Sequence, residues 1–183
     1  GKGVSYCANC DGPFYKQKAV AVIGGGNSAF DAAEIMSKIA KQVYLIHRND
    51  EFKAFDTLVK EVQNRENIKI ITNAEMQAII GDSKVEKIKY LDKKDNQEKE
   101  VLLDGVFVEI GRIASTDLVT DFVDRDKGNQ ILTDANMATR TPGLFAAGDV
   151  VSGEFKQITI ANGQATIAAL SAYQYIQMNP DLL

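Results

Sequence analysis

The strongest constraint on this chain is an apolar run, Ala19–Ile23, that stops dead at Gly24-Gly25-Gly26 and resumes as a helical stripe. Five apolar residues in a row read as a strand buried on both faces, which requires helices above and below it. The stripe that follows, Ala29, Ala32, Ala33, Met36, Ile39 and Ala40, has the i, i+3, i+4 spacing of a helix packed on a sheet. Val43–Ile46 predicts a second strand, residues 54–65 (Leu58, Val59 and Val62) a second helix, and Ile68–Ile71 a third strand. This β-α-β-α-β order specifies an α/β fold with a doubly wound, Rossmann-like parallel sheet.

The pattern changes at residue 75. Residues 75–103 alternate apolar and charged side chains around a polar Asp92–Gln97 turn, predicting an antiparallel β-meander. Gly105–Ile110 is a further buried strand. Beyond Arg112 the signal is weaker: strand candidates near Ile131-Leu132 and Phe145–Asp149, then a long helix, Ile158–Met178. We place a boundary there, giving domains of residues 1–111 and 112–183. The second has too few elements to bury much apolar surface alone and reads as half of a larger unit. Residues 1–17, punctuated by Gly1, Gly3, Gly12 and Pro13, read as a loop in which the cysteines precede the first strand.

Gly24, Gly26 and Ala29 fit G-x-G-x-x-A, with Asn27 and Ser28 between. The first glycine permits the turn, the second lets backbone approach a pyrophosphate, and the alanine keeps helix and strand close. A glycine turn without a ligand is the alternative. Where an acidic residue would select NAD, the second strand ends at His47-Arg48-Asn49, with Lys53 beyond. Cations there accommodate a 2′-phosphate, which favours NADPH; Asp50 and Glu51 argue the other way, and a plain solvated face is a third reading.

Cys7 and Cys10 are the only cysteines and His47 the only histidine. A four-ligand zinc site is therefore short of donors, and no metal is expected. A structural disulfide would close a very small loop, so a redox dithiol is the better reading. Asp11 could protonate a thiolate or could simply favour a turn with Gly12. The net charge of −4 gives no reason to expect nucleic acid. Without a membrane-length apolar run or signal pattern, a cytoplasmic setting is expected. The chain opens at Gly1, from which a processed product or a piece of a longer protein is expected.

Read in order, Gly3–Gly12, Val20–Ala29, Leu45–Arg48, Gly105–Gly111, Thr141–Asp149 and Lys156–Ile158 resemble the low-molecular-weight thioredoxin reductases. They also resemble a relative of those enzymes, the flavoprotein component of alkyl hydroperoxide reductase. The resemblance implies an NAD(P)H domain carrying the cysteine pair, followed by the C-terminal half of a split FAD domain whose N-terminal half is missing. A chain complete as it stands would then hold FAD poorly and could be a non-catalytic nucleotide-binding fragment. It implies that Cys10 is the thiol nearest the flavin, Cys7 the thiol that attacks the partner disulfide, and Asp11 the acid. It places Gly148 and Asp149 beside the flavin's ribityl and phosphate region, and Gln157 and Ile158 beside its ring system. The implied cofactors are FAD and NADPH, with NADH possible. The implied partner is a thioredoxin-like or peroxiredoxin-linked protein, and the intact protein is a homodimer. Two departures bear on the cofactor: Asn49 stands where the NADPH pattern has a second Arg, and Lys53 where it has the last. The strings Lys156-Gln157-Ile158 and Gly12-Pro13-Phe14 lie closer to the NADH-using branch. The resemblance also implies a domain swing, with hinges near Gly111-Arg112 and Gly1–Gly3.

Overall fold

The computed structural model describes residues 1–182 and divides into two compact units, Gly1–Gly111 and a second that begins at Arg112. The first is α/β. Its five-stranded parallel sheet has the order β1-β8-β2-β3-β4, with β1 at Val4–Ser5, β2 at Ala19–Ile23, β3 at Gln42–Ile46, β4 at Ile68–Ile71 and β8 at Gly105–Val108. Helices α2 (Asn27–Ser37) and α3 (Asp56–Gln63) make the crossovers from β2 to β3 and from β3 to β4. A second, antiparallel sheet of β5 (Ala74–Ile80), β6 (Lys87–Asp92) and β7 (Gln97–Leu102) is the expected meander.

Burial explains why the central strands are uniformly apolar. Val20, Val22, Val43, Leu45 and Phe107 point into a core shared with Ala29, Phe30, Ala33 and Met36 of α2. Ala21, Ile46 and Val106 face the opposite side, against Ala74, Ile88 and Tyr90 of the meander. A strand packed on both faces cannot alternate with polar residues, so β2 reads as a continuous apolar run. The meander has one packed face and one solvated face, which carries the ion pairs Lys87–Glu100 and Lys89–Glu98.

The amino-terminal segment corrects the sequence reading. Val4 and Ser5 form β1, paired in parallel with Val106 and Phe107. Ala8–Asp11 form the short helix α1, and a 3₁₀ turn covers Gly12–Tyr15. The cysteines therefore follow the sheet's edge strand and open a helix, instead of sitting in a loop ahead of the first strand. Gly12 and Pro13 do not mark a loop: Gly12 is where the chain passes close to α2, since a Cβ there would meet Met36 Sδ at 3.1 Å.

In the second unit Ile158–Met178 forms helix α4, with the bounds its sequence predicts. The strand candidates there reduce to isolated bridges, Arg125 with Ile131, Ile131 with Val151 and Ala138 with Phe145. Its buried side chains are Thr116, Val123, Ile131 and Val151, and α4 buries none of its residues.

Candidate functional site

Sheet topology creates the first candidate site. From β2 the chain crosses to β3 on one side, while β8 flanks β2 on the other, so the order reverses at β2. Crevices outside the carboxyl ends of strands at such a reversal are where open α/β sheets bind ligands. A cavity of about 790 Å³ lies there, lined by Gly24–Ser28, His47–Asn49, Lys53 and Val108–Gly111.

Each glycine in its floor has a different reason to be glycine. Gly24 has φ +155°, and a Cβ on it would fall 2.3 Å from the Glu109 carbonyl oxygen, so it is fixed by the approach of the segment that leaves β8. A Cβ on Gly25 would enter the His47 ring. A Cβ on Gly26 would meet nothing within 4 Å. Gly26 caps α2 without a side-chain bond, so the helix's first N–H groups and its positive dipole end face the cavity. Open space above Gly26 beside an uncapped helix start fits a pyrophosphate. Ala29 is fully buried, and Asn27 Oδ1 accepts the Phe55 N–H at 2.8 Å, tying the helix start to the loop after β3.

His47 lines the cavity, but its ring is held by the protein. Nε2 donates to the Glu51 carbonyl at 3.1 Å, and the ring lies 5.6 Å from that of Phe52. Arg48 and Lys53 are exposed at the rim. The Lys53 N–H donates to the Gly25 carbonyl at 2.7 Å, which fixes the lysine beside the glycine turn.

The sequence reading missed one wall. Met76–Ile79 of β5 line the cavity, where the β5–β6 register shifts between Met76 and Ala78. A bulge of this kind re-aims side chains and has no periodic signature.

The second candidate site is the cysteine pair. Cys7 and Cys10 form a disulfide with Cα atoms 5.3 Å apart; Cys7 is half-buried and Cys10 exposed. Cys7 is the N-cap of α1, and its Sγ accepts the Cys10 N–H at 3.2 Å. Ala8 anchors α1 in the core beside Ala33 and Met36. Ser5 Oγ donates to Asp11 Oδ2 at 2.7 Å. Burial, and after it the charges of Asp11 and Asp104, push the Tyr15 hydroxyl above its ordinary pKa. Because β1, β8 and β2 are parallel and Ser5, Phe107 and Val22 are level, the cysteines and the glycine turn leave the sheet at the same edge. Two strand spacings, about 10 Å, separate the two exits.

In the second unit Gly148, Asp149, Gln157 and Ile158 gather around the start of α4. Gly148 has φ +84°, and its N–H donates to Gln164 Oε1 at 2.8 Å. Gln157 caps α4 without a side-chain bond, and Asp149, Gln157 and Ile158 are exposed. Gly148 thus turns sharply against α4, leaving backbone and exposed side chains available to a flat ligand. Among the described residues no cluster of three His, Cys, Asp or Glu could hold a metal ion, and no helix is long and apolar enough to cross a membrane.

Residues 1–165 match the family model described as pyridine nucleotide-disulphide oxidoreductase. The chain belongs to this family. The family uses FAD and NAD(P)H, and the glycine turn and the cysteine pair lie in the matched residues. The chain is 41% identical over 178 residues to an NADH dehydrogenase of Bacillus subtilis (strain 168), covering 97% of this chain and 35% of that protein. It is 40% identical over 177 residues to a subunit of the alkyl hydroperoxide reductase of Pseudomonas putida, covering 96% and 34%. Among solved structures, thioredoxin reductase from Streptococcus pyogenes MGAS5005 superposes with a TM-score of 0.87 at 34% identity, covering 97% of this chain and 58% of that one. Thioredoxin reductase of T. acidophilum gives 0.68 at 43% identity, covering 95% and 58%. The chain thus spans about a third of the length of those two curated relatives.

Proposed function

We propose that this chain is the electron-transfer part of a flavin-dependent disulfide reductase, whose Cys7–Cys10 pair passes two electrons to a disulfide on a thioredoxin-like protein. The observation that carries this reading is the shared edge: the glycine turn after β2 and the cysteine pair after β1 leave one parallel sheet at the same end, two strands apart. When bound, NADPH supplies a hydride and FAD relays its electron pair. Gly26 and the start of α2 hold the dinucleotide's pyrophosphate, with Arg48 and Lys53 at its 2′-phosphate. Gly148, Asp149, Gln157 and Ile158 form one side of the flavin site.

Two electrons break the Cys7–Cys10 bond and leave two thiolates, one of which takes a proton from Asp11. Cys7 then attacks the partner disulfide, forming a mixed disulfide and releasing one partner thiolate. Cys10 returns its proton to the Asp11 carboxylate and attacks Cys7 Sγ, which restores the pair and releases the second partner thiolate. Replacing Cys10 by Ser in the full-length flavoprotein is expected to abolish partner reduction while flavin bleaching by NADPH persists. Unchanged turnover with thioredoxin refutes the relay.

A second reading, an NADH-driven reductase feeding a peroxiredoxin-linked domain, is favoured by the uncharged Asn49 at the cavity rim and by the 40% identity to an alkyl hydroperoxide reductase component. Rates with NADH against NADPH, and with a peroxiredoxin-linked domain against thioredoxin, separate the two. A binding module without turnover would show no partner reduction with either.

A further inference from the structure

We propose that Ser5 is a positioning residue for proton transfer at the cysteine pair, acting through Asp11; this rests on the disulfide-reductase reading above. Ser5 is a polar side chain in a buried strand position, 4% exposed. A valine or alanine would fill such a position at no polar cost.

The hydroxyl is committed on both sides. Its oxygen accepts the Cys7 N–H at 3.1 Å, and its proton has two acceptors in range. Asp11 Oδ2 stands at 2.7 Å and the Cys7 carbonyl at 3.3 Å. A hydroxyl has one proton, and 2.7 Å is a full hydrogen-bond distance for it whereas 3.3 Å is beyond the usual range. Asp11 therefore holds it. The Asp11 N–H in turn donates to the Cys7 carbonyl at 3.1 Å. Ser5, Cys7 and Asp11 thus close a ring of hydrogen bonds around the residue that caps α1 with its own sulfur.

This ring settles what Ser5 does. An aspartate next to Cys10 on a one-turn helix has two free side-chain torsions and swings into solvent unless it is held. Ser5 grips one oxygen, Oδ2, and leaves the other as the atom that carries the proton. When the disulfide is reduced, the sulfur–sulfur bond breaks, one cysteine leaves as thiolate, and the Asp11 proton moves to it. Ser5 transfers nothing; it fixes where the donor stands. Neither its small size nor its strand position shows this role from sequence.

The test measures reduction of Cys7–Cys10 by dithiothreitol as a function of pH, using the full-length flavin-loaded protein, with alkylation and mass as the readout. Ser5→Ala and Ser5→Gly are both made, so that one folded variant without the hydroxyl suffices. Dividing each rate by the wild-type rate removes the reagent's own ionisation. The hydroxyl-free variant is expected to be slower by about tenfold near neutral pH, the scale lost when a reacting group is misplaced. Its ratio to wild type varies with pH, and Ser5→Thr returns the rate to within about twofold of wild type. In an Asp11→Asn background, loss of the hydroxyl costs less than about twofold, because both changes remove one function. A full tenfold loss that persists in Asp11→Asn, or a hydroxyl-free variant with wild-type rates at every pH, overturns the proposal. Wild-type protein that fails to reduce any partner disulfide yet shows this Ser5 pattern with dithiothreitol sinks the functional reading and leaves the positioning role standing.

Discussion

The imidazole of His47 occupies the space that a side chain on Gly25 would need: a Cβ at Gly25 falls 2.3 Å from both Cε1 and Nδ1. The fingerprint motif treats this residue as the variable position between its first two glycines, so the constraint comes from the tertiary fold. Gly25→Ala must therefore push the ring away from Phe52 and from its bond to the Glu51 carbonyl. The expected cost is about 1–3 kcal/mol, the range for overpacking a well-filled site. His47→Ala in the same chain should recover most of that loss. Urea unfolding of the single and double variants reads the coupling, and simple additivity would show that the two residues do not compete.

Gly26 gives the opposite prediction. Its backbone has φ −102° and a Cβ there meets nothing, so the fold does not require glycine. Gly26→Ala should change stability by less than about 0.5 kcal/mol, as for a surface change that breaks no contact. The new methyl group stands where the pyrophosphate is proposed to sit, and weakens NAD(P)H binding about tenfold or more, a difference of about 1.4 kcal/mol. Calorimetric titration with NADH and NADPH, beside thermal unfolding, checks both halves. Equal affinity in the variant would move the dinucleotide off Gly26.

The contrast between these glycines shows what the sequence could and could not carry. The dinucleotide fold was legible because β2 and β4 are short, nearly unbroken apolar runs separated by the apolar stripe of α2, and the bounds of both strands match the pattern. β1 was not legible, since two residues have no period and its partner β8 lies a hundred positions away in sequence. The bulge at Gln77 and the His47–Gly25 contact are equally silent, being properties of how elements meet. In the second unit, the expected strands are single bridges. Turn-rich segments there are held by side-chain bonds such as Ser152 to Asp126, which leave no repeating trace.

Asp126 makes one such set of bonds titratable. The Gln130 N–H, with Ser152 Oγ and the Gly128 N–H, holds its carboxyl below the ordinary carboxylate pKa. A depressed folded-state value means a stabilising contribution that is present above the unfolded pKa, about 4, and lost as pH falls through the folded value. Asp126→Asn should therefore lower the unfolding midpoint of the second unit at pH 7, with a gap to wild type that narrows steadily below pH 4. Midpoints followed by circular dichroism between pH 7 and pH 2 measure it. A gap that stays constant into acid shows that the charge contributes nothing.

Local stability should divide the two units. In the first, Val20, Val22, Val106 and Phe107 of the central strands are fully buried. In the second, α4 is 21 residues long and none of them is buried, with Ile158, Leu170, Tyr173 and Met178 all exposed. Such a helix keeps only contacts like the edge-on pair of Phe145 and Tyr175 and the Gln164 bond to Gly148. Its half-buried residues, among them Ala161, Gln164, Ala168, Ala172 and Tyr175, keep to one face and none is fully covered, while tertiary packing supplies most of the stability of helices in proteins. In a polypeptide of these 183 residues, α4 amides should exchange far faster than those of β2 and β8. Within a protein of its relatives' length, the proposed flavin domain would cover those side chains, and the same amides should then slow by about a hundredfold or more. Hydrogen exchange followed by mass spectrometry on both proteins gives the comparison. Protection of α4 equal to that of β2 in the shorter polypeptide would show that the helix needs no further partner surface.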